Sequence, residues 1–195
     1  NDKCFIMEPG VTPDDIPTKE EVLGWDYWRL SEKSNGSLVK VQGRVAARTT
    51  NGFILALDNY INHMVFVYDP YGGLADVDVN QYIDLYAEKI TYRYLPELNY
   101  SAENHWYFIQ GRYTSNLNQS ARIITEDFDN YNSDKYEYVG FVGTLEQNGS
   151  YYNVYVDGAT IIGDIENPVQ DLSAYNNQKV YVEGYYLGKN SDTQK

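Results

Sequence analysis

Cysteine is nearly absent: Cys4 is the only one in 195 residues. A single thiol closes no intramolecular disulfide and cannot build a cysteine-rich zinc site. Histidine is almost as scarce, with His63 and His105 the only two. No Gly-x-Ser-x-Gly elbow, His-Glu-x-x-His helix or glycine-rich phosphate loop accompanies them, so no motif nominates an enzyme, a cofactor or a resident metal. Basic residues are outnumbered, 15 Lys and Arg against 28 Asp and Glu, for a formal net charge of −13. Nucleic-acid backbones and anionic lipids are held through cations, so this balance disfavours both. The nearest approach to a basic groove is Lys40, Arg44 and Arg48, spaced every four residues along an expected strand and read as a solvated face. Long apolar runs are missing as well. No window approaches the roughly 18 uninterrupted apolar residues of a spanning helix, and no basic segment leads into an apolar one as in an intact signal peptide. Asn1, Asp2 and Lys3 likewise lack the small apolar character that precedes a lipidated cysteine.

What is present is apolar and aromatic. Hydrophobic residues make up 43% of the chain and aromatics 15%, including 21 tyrosines, which is ample for a packed core. The length suits one large domain or two small ones. Self-comparison favours two, because one offset, 97 residues, relates the halves. It carries Gly43 onto Gly140, Val45 onto Val142, Asn51-Gly52 onto Asn148-Gly149, Ile83 onto Val180 and Leu85 onto Val182.

Each half reads as strands. Val39, Val41, Val45 and Ala47 alternate with polar residues, and Asn51-Gly52 predicts a hairpin into Phe53, Leu55 and Leu57. A third strand is expected near Met64–Tyr68 and a fourth over Ile83–Tyr94. Between them, Leu74–Gln81 has room for one or two helical turns. The aromatic run in Asn104–Tyr113 predicts a fifth strand. The second half repeats four of these, with Tyr138 and Val142, then Tyr152, Val154 and Val156, then Thr160–Ile165, then Val180–Leu187.

Glycine inside strand one, a hairpin, a third strand, a short insert and two more strands is the order of the OB-fold barrel. With Val41-Gln-Gly43-Arg-Val45 and Gly52-Phe-Ile-Leu55 repeated as Val139-Gly140-Phe-Val142 and Gly149-Ser-Tyr-Tyr152, the chain resembles tandem OB-fold modules of exported bacterial cell-envelope proteins. The resemblance implies a mainly β fold of two five-stranded barrels at 38–113 and 136–195. It also implies a periplasmic or cell-surface location and a binding or assembly role. Residues 1–37 read as a proline-rich leader and short helix, Thr18–Leu30, packing Val22, Leu23, Trp25 and Trp28 on the first barrel. Residues 114–135 read as a linker, with a short strand near Ala121–Ile124. The fifth strand of the second barrel would map past Lys195. The barrel is then open, or borrows an edge such as Phe5–Met7, or is completed by further chain, and further chain is the leading expectation.

A barrel of this kind that binds single strands or glycans presents aromatic platforms on its second and third strands. Phe53, Tyr60, Phe66 and Tyr68 are the corresponding ligand-binding candidates, although core and cross-strand packing is the stronger reading of such rings. Asp58 and Asp69 flank them where a nucleic acid would need cations, whereas sugar faces need none. The expected partner is therefore a glycan or a protein; single-stranded nucleic acid and an unrecognised hydrolase are the rivals. Asp76, Asp78 and Asn80 resemble the opening of a calcium loop, but Gln81 and Ala87 stand where the turn glycine and the closing glutamate belong. Asp127, Asp129, Asn130, Asn132 and Asp134 meet no spacing rule and read as a solvated loop.

Overall fold

Alternation between apolar and polar residues is realised as strands almost throughout the computed structural model, which describes residues 20–195. Cys4, Phe5–Met7, the leader prolines and the Thr18 helix start lie outside the described residues. The chain divides into two compact units: one runs to Tyr92 and adds Pro96–Leu117, the other joins Arg93–Leu95 to Asn118–Lys195.

In the first unit β1 (Glu20–Glu21) runs parallel to β2 (Leu38–Thr49), which continues through β3 (Gly52–Leu57), β4 (Met64–Tyr68), β5 (Gln81–Tyr92), β6 (Leu95–Asn99) and β7 (Trp106–Arg112). Five of these close a barrel: β2 pairs with β3, β3 with β4, β4 with β6, β6 with β5, and β5 back with β2. Only the β4–β6 contact is parallel. The fifth barrel strand is thus β6, not the expected Asn104–Tyr113. That segment forms β7 and pairs antiparallel with the N-terminal half of β5 outside the closed circuit. Its aromatic residues give it strand propensity, but only β6, following β5 after a two-residue turn, lies where it can bridge β5 and β4. Leu74–Gln81 forms turns without helix.

Closure demands close approach at Gly43. It faces Leu57 on β3 and Ile83 on β5, and a Cβ there would lie 2.5 Å from the Ala56 carbonyl oxygen. Two residues on, a bulge between Val45 and Ala47 adds twist and lets β2 serve both neighbours. Phe53, Leu55, Leu57, Met64, Val65, Ile83, Leu85 and Leu98 fill the interior, each removing ~1.5–3 kcal/mol of apolar exposure from water.

The helix expected over Thr18–Leu30 is not continuous. β1 is followed by a 3-10 turn at Gly24–Asp26 and a four-residue helix, Arg29–Glu32. Val22 donates its N–H to the Lys40 carbonyl (2.9 Å), and Gly24 lies so close that a Cβ would sit 2.6 Å from the Leu57 carbonyl oxygen. Pairing with β2 outweighs the local helix signal. Val22 and Leu30 are buried, whereas Trp25 and Trp28 face solvent.

The second unit contains β8 (Arg122–Ile123), β9 (Tyr138–Asn148), β10 (Tyr151–Val156), β11 (Ile162–Ile165) and β12 (Lys179–Tyr185). β8 falls within the short strand expected at Ala121–Ile124. The sheet runs β11-β10-β9-β12, with β8 parallel to β9. It is open among the described residues, and a second closed barrel is not formed. Thr193–Lys195 lies beside β11, where Ile162 donates to the Thr193 carbonyl (2.9 Å) and Asp164 to that of Lys195 (2.7 Å).

The 97-residue register holds in three dimensions at Asn80 and Asn177 and at Ile83 and Val180, but not along the first hairpin of each unit. The residue facing both Val156 and Val180, as Gly43 faces Leu57 and Ile83, is Gly143 and not Gly140. Gly140 instead lies beneath the Tyr181 ring. Gly52 is a buried strand residue, whereas Gly149 is a turn residue with φ +63°. By pairing, Gly43 matches Gly143, 100 residues on, and Leu57 matches Val156, 99 residues on; the bulge that β2 carries and β9 lacks supplies that one-residue step.

Candidate functional site

Four aromatic side chains were candidates from the sequence, and the fold separates them. Phe53 is fully buried, and Phe66 is 6% exposed with its ring against Gly52. Tyr68 is half-buried at the end of β4. Every residue of β3 is buried, so both of its faces are covered and the second and third strands offer no open aromatic platform. Tyr60 alone is exposed, at 48%.

Tyr60 belongs instead to a different cluster. The β3–β4 connection turns sharply through Asp58 and Asn59, both with positive φ, and sets Tyr60, Ile61 and His63 beside the segment that follows β1. Tyr27 stacks on His63 at 4.2 Å between ring centroids, and Tyr60 lies 5.2 Å from the same imidazole. Trp28 meets Tyr27 edge-on at 6.5 Å and Trp25 at 6.4 Å. Trp25 is 58% exposed, Trp28 51% and Ile61 44%. Two exposed indoles and an exposed phenol are therefore linked by one chain of ring contacts, with exposed Ile61 next to Tyr60 in the same turn.

Polar contacts hold the base of this cluster. The Gly24 N–H donates to the Asp58 carboxylate, His63 Nδ1 donates to the Gly24 carbonyl, and the Tyr82 hydroxyl reaches Asp58 at 3.3 Å. Burial and the adjacent Asp58 carboxylate push the Tyr82 hydroxyl well above the usual phenol range, so it remains a donor. Arg29 pairs with Asp26 (3.1 Å) and Glu20 (2.8 Å), and Lys33 pairs with the same Glu20. The neighbouring cations are thus committed to carboxylates.

The second unit makes the corresponding join without exposed indoles. There Ile124 donates to the Gly140 carbonyl (2.9 Å) as Val22 does to Lys40, and a 3-10 turn, Thr125–Asp127, follows. Asp129 then accepts hydrogen bonds from Thr160 N–H (2.9 Å), Thr160 Oγ1 (2.9 Å) and Ile161 N–H (2.8 Å) in the β10–β11 connection. These donors hold its carboxyl below the usual aspartate range. Phe128 is buried against Phe141. A carboxylate and a buried phenylalanine make the join, so exposed tryptophans are not a requirement of this architecture.

The remaining candidates have structural work. Arg44 is buried, bonded through Nη2 to Asn80 (2.8 Å) and to the Ser115 carbonyl, with its guanidinium 4.3 Å from the Tyr113 ring centroid. Arg48 donates to the carbonyls of Leu74 (3.1 Å) and Val77, and Lys40 pairs with Glu21. The three cations on which nucleic-acid binding would depend are therefore engaged by partners within the first unit. Asp78 pairs with Arg112 at 2.8 Å, and the two oxygens of Asp69 accept from Gly73 and Leu74. Among the described residues no three His, Cys, Asp or Glu side chains converge as a metal site would require. His105 is buried and its Nδ1 accepts the Ser101 N–H (2.9 Å); burial lowers its pKa.

Trp25 and Trp28 are the site residues that sequence reasoning assigned to the core. A signal existed: counting from Val22 at helical spacing reaches Trp25, Asp26 and Arg29, which is not an apolar stripe. Comparison with known families finds no matching family model, and no curated protein matches the chain.

Proposed function

We propose that this chain is a non-enzymatic binding module, exported to the bacterial periplasm or cell surface, that holds a glycan on Trp25, Trp28 and Tyr60. The observation that carries the reading is the pair of exposed indoles on a join that the second unit makes with a carboxylate and a buried phenylalanine. Indole and phenol rings stack on the C–H faces of sugars and need no positive charge, which suits a chain of net charge −13. The polar base beneath them keeps the platform rigid, which lowers the entropy lost on binding. The β2-β3-β4-β6-β5 circuit, with its single parallel contact, supports reading the first unit as an OB-fold barrel, and the shared strand order supports a related, open second unit.

A protein partner is the second reading, favoured by Ile61, an exposed aliphatic side chain that a sugar face does not call for. A glycan array probed with the purified chain, with single-stranded DNA as a silent control, tests the proposal. Glycan binding lost in Trp25→Ala/Trp28→Ala, with an unchanged unfolding transition, is the expected result. Binding that survives the double substitution would remove the site, and an array silent with the unaltered chain would move the weight to the protein reading.

A further inference from the structure

The outer edge of the second sheet carries a different chemistry. β12 pairs with β9 alone among the described strands, whereas its counterpart β5 is flanked by β2 on one side and by β6 and β7 on the other. The Gln178 carbonyl accepts from Leu145 (3.0 Å) and Tyr186 donates to the Glu137 carbonyl (2.8 Å), so even-numbered residues bond toward β9. The register between them is unbroken. Antiparallel pairing alternates, so the backbone N–H and C=O groups of Lys179, Tyr181 and Glu183 point away from β9. Their side chains lie on the exposed face of the strand, and Lys179 also pairs with Asp157 of its own chain, a partner that the dimer contact would have to share. Glu183 is held in place there, accepting hydrogen bonds from the hydroxyls of Tyr138 and Tyr181 at 2.8 Å each.

This edge is self-complementary. Two antiparallel copies centred on Tyr181 place Lys179 of each opposite Glu183 of the other, and Tyr181 opposite Tyr181. All three residues then enter narrow pairs that exchange both backbone hydrogen bonds. Centring one residue later, on Val182, sets Tyr181 against Glu183 and loses the ion pairs. Registers that align Lys179 with Lys179, or Glu183 with Glu183, place like charges face to face. We infer that β12 is a self-association edge, joining a second copy of this chain antiparallel about Tyr181 into a two-fold dimer. One short strand per copy buries little surface, so the dimer is weak, with Kd on the order of 10 μM.

Sedimentation equilibrium of the full chain over a concentration series tests this. The unaltered chain should approach twice its monomer mass. Lys179→Glu and Glu183→Lys each convert two attractive pairs per dimer into repulsive ones and should weaken association ~10-fold, while the double exchange recovers most of it, less what the lost Lys179–Asp157 pair contributed. Tyr181→Pro removes an N–H that faces away from β9 and should leave a folded monomer. If that variant fails to fold, the charge exchange decides alone. A mass independent of concentration in the unaltered chain, or single reversals that associate as tightly as it does, would overturn the dimer. Trp25→Ala/Trp28→Ala should dimerise normally, so this proposal and the glycan site fail separately.

Discussion

Phe53 and Tyr60 lie seven positions apart, yet one is fully buried and the other exposed. Residue type does not separate them; position does, because Phe53 points from a strand enclosed on both faces and Tyr60 projects from the turn that follows it. Phe53→Ala should cost ~3–5 kcal/mol in urea unfolding, whereas Tyr60→Ala should stay within ~0.5 kcal/mol. His105 supplies a pH test. Its ring is buried as an acceptor for the Ser101 N–H, so its folded pKa lies below the ordinary histidine value of 6.5. The unfolded chain therefore binds the proton first, and this stabilisation is complete above pH 6.5 and is lost as the pH falls below it. Urea midpoints measured from pH 7.5 to 5 should decline, and His105→Asn, which keeps an acceptor but does not titrate, should flatten that part of the decline.

Among the elements, the first strand of each sheet is the most constrained. An alanine Cβ at Gly43 would lie 2.5 Å from a backbone carbonyl oxygen, and one at Gly143 would lie 2.6 Å from another. Neither can move without shifting a strand. Each substitution to alanine should cost ~1–3 kcal/mol or more. At Gly140 the obstructing atoms belong to the end of the Tyr181 side chain, which can swing aside, so Gly140→Ala should cost less than Gly143→Ala by thermal unfolding. That ordering would distinguish the three-dimensional equivalence of Gly43 from the one read at constant offset. The leader teaches the same lesson: Thr18 to Leu30 has helix-forming residues, but pairing with β2 and the tight approach of Gly24 to Leu57 break it into a strand, a turn and one helical turn.

For the whole molecule, each unit has its own core, the first built on Leu55, Leu57 and Leu85 and the second on Leu145, Val154 and Val156. Hydrogen exchange should report this division. Leu55→Ala should raise exchange through β2–β6 and leave β9–β12 protected, and Val154→Ala should do the reverse. Within the linker, Arg122–Ile123 form the short strand expected at Ala121–Ile124, parallel to β9, whereas the leader residues Glu20–Glu21, parallel to β2, do not read as a strand in the sequence. Two residues of strand are too few to produce a periodic signal. The mainly β character, the strand order of the first four strands and the exclusion of disulfides follow from the sequence itself, because alternation, turn residues and cysteine count are local properties. Which strand closes the barrel, which glycine lies at the crossing and which aromatics reach solvent were decided by the tertiary structure. Each of these depends on segments distant along the chain packing against one another, as when Tyr27 meets His63 and carries Trp25 and Trp28 to the surface beside Tyr60.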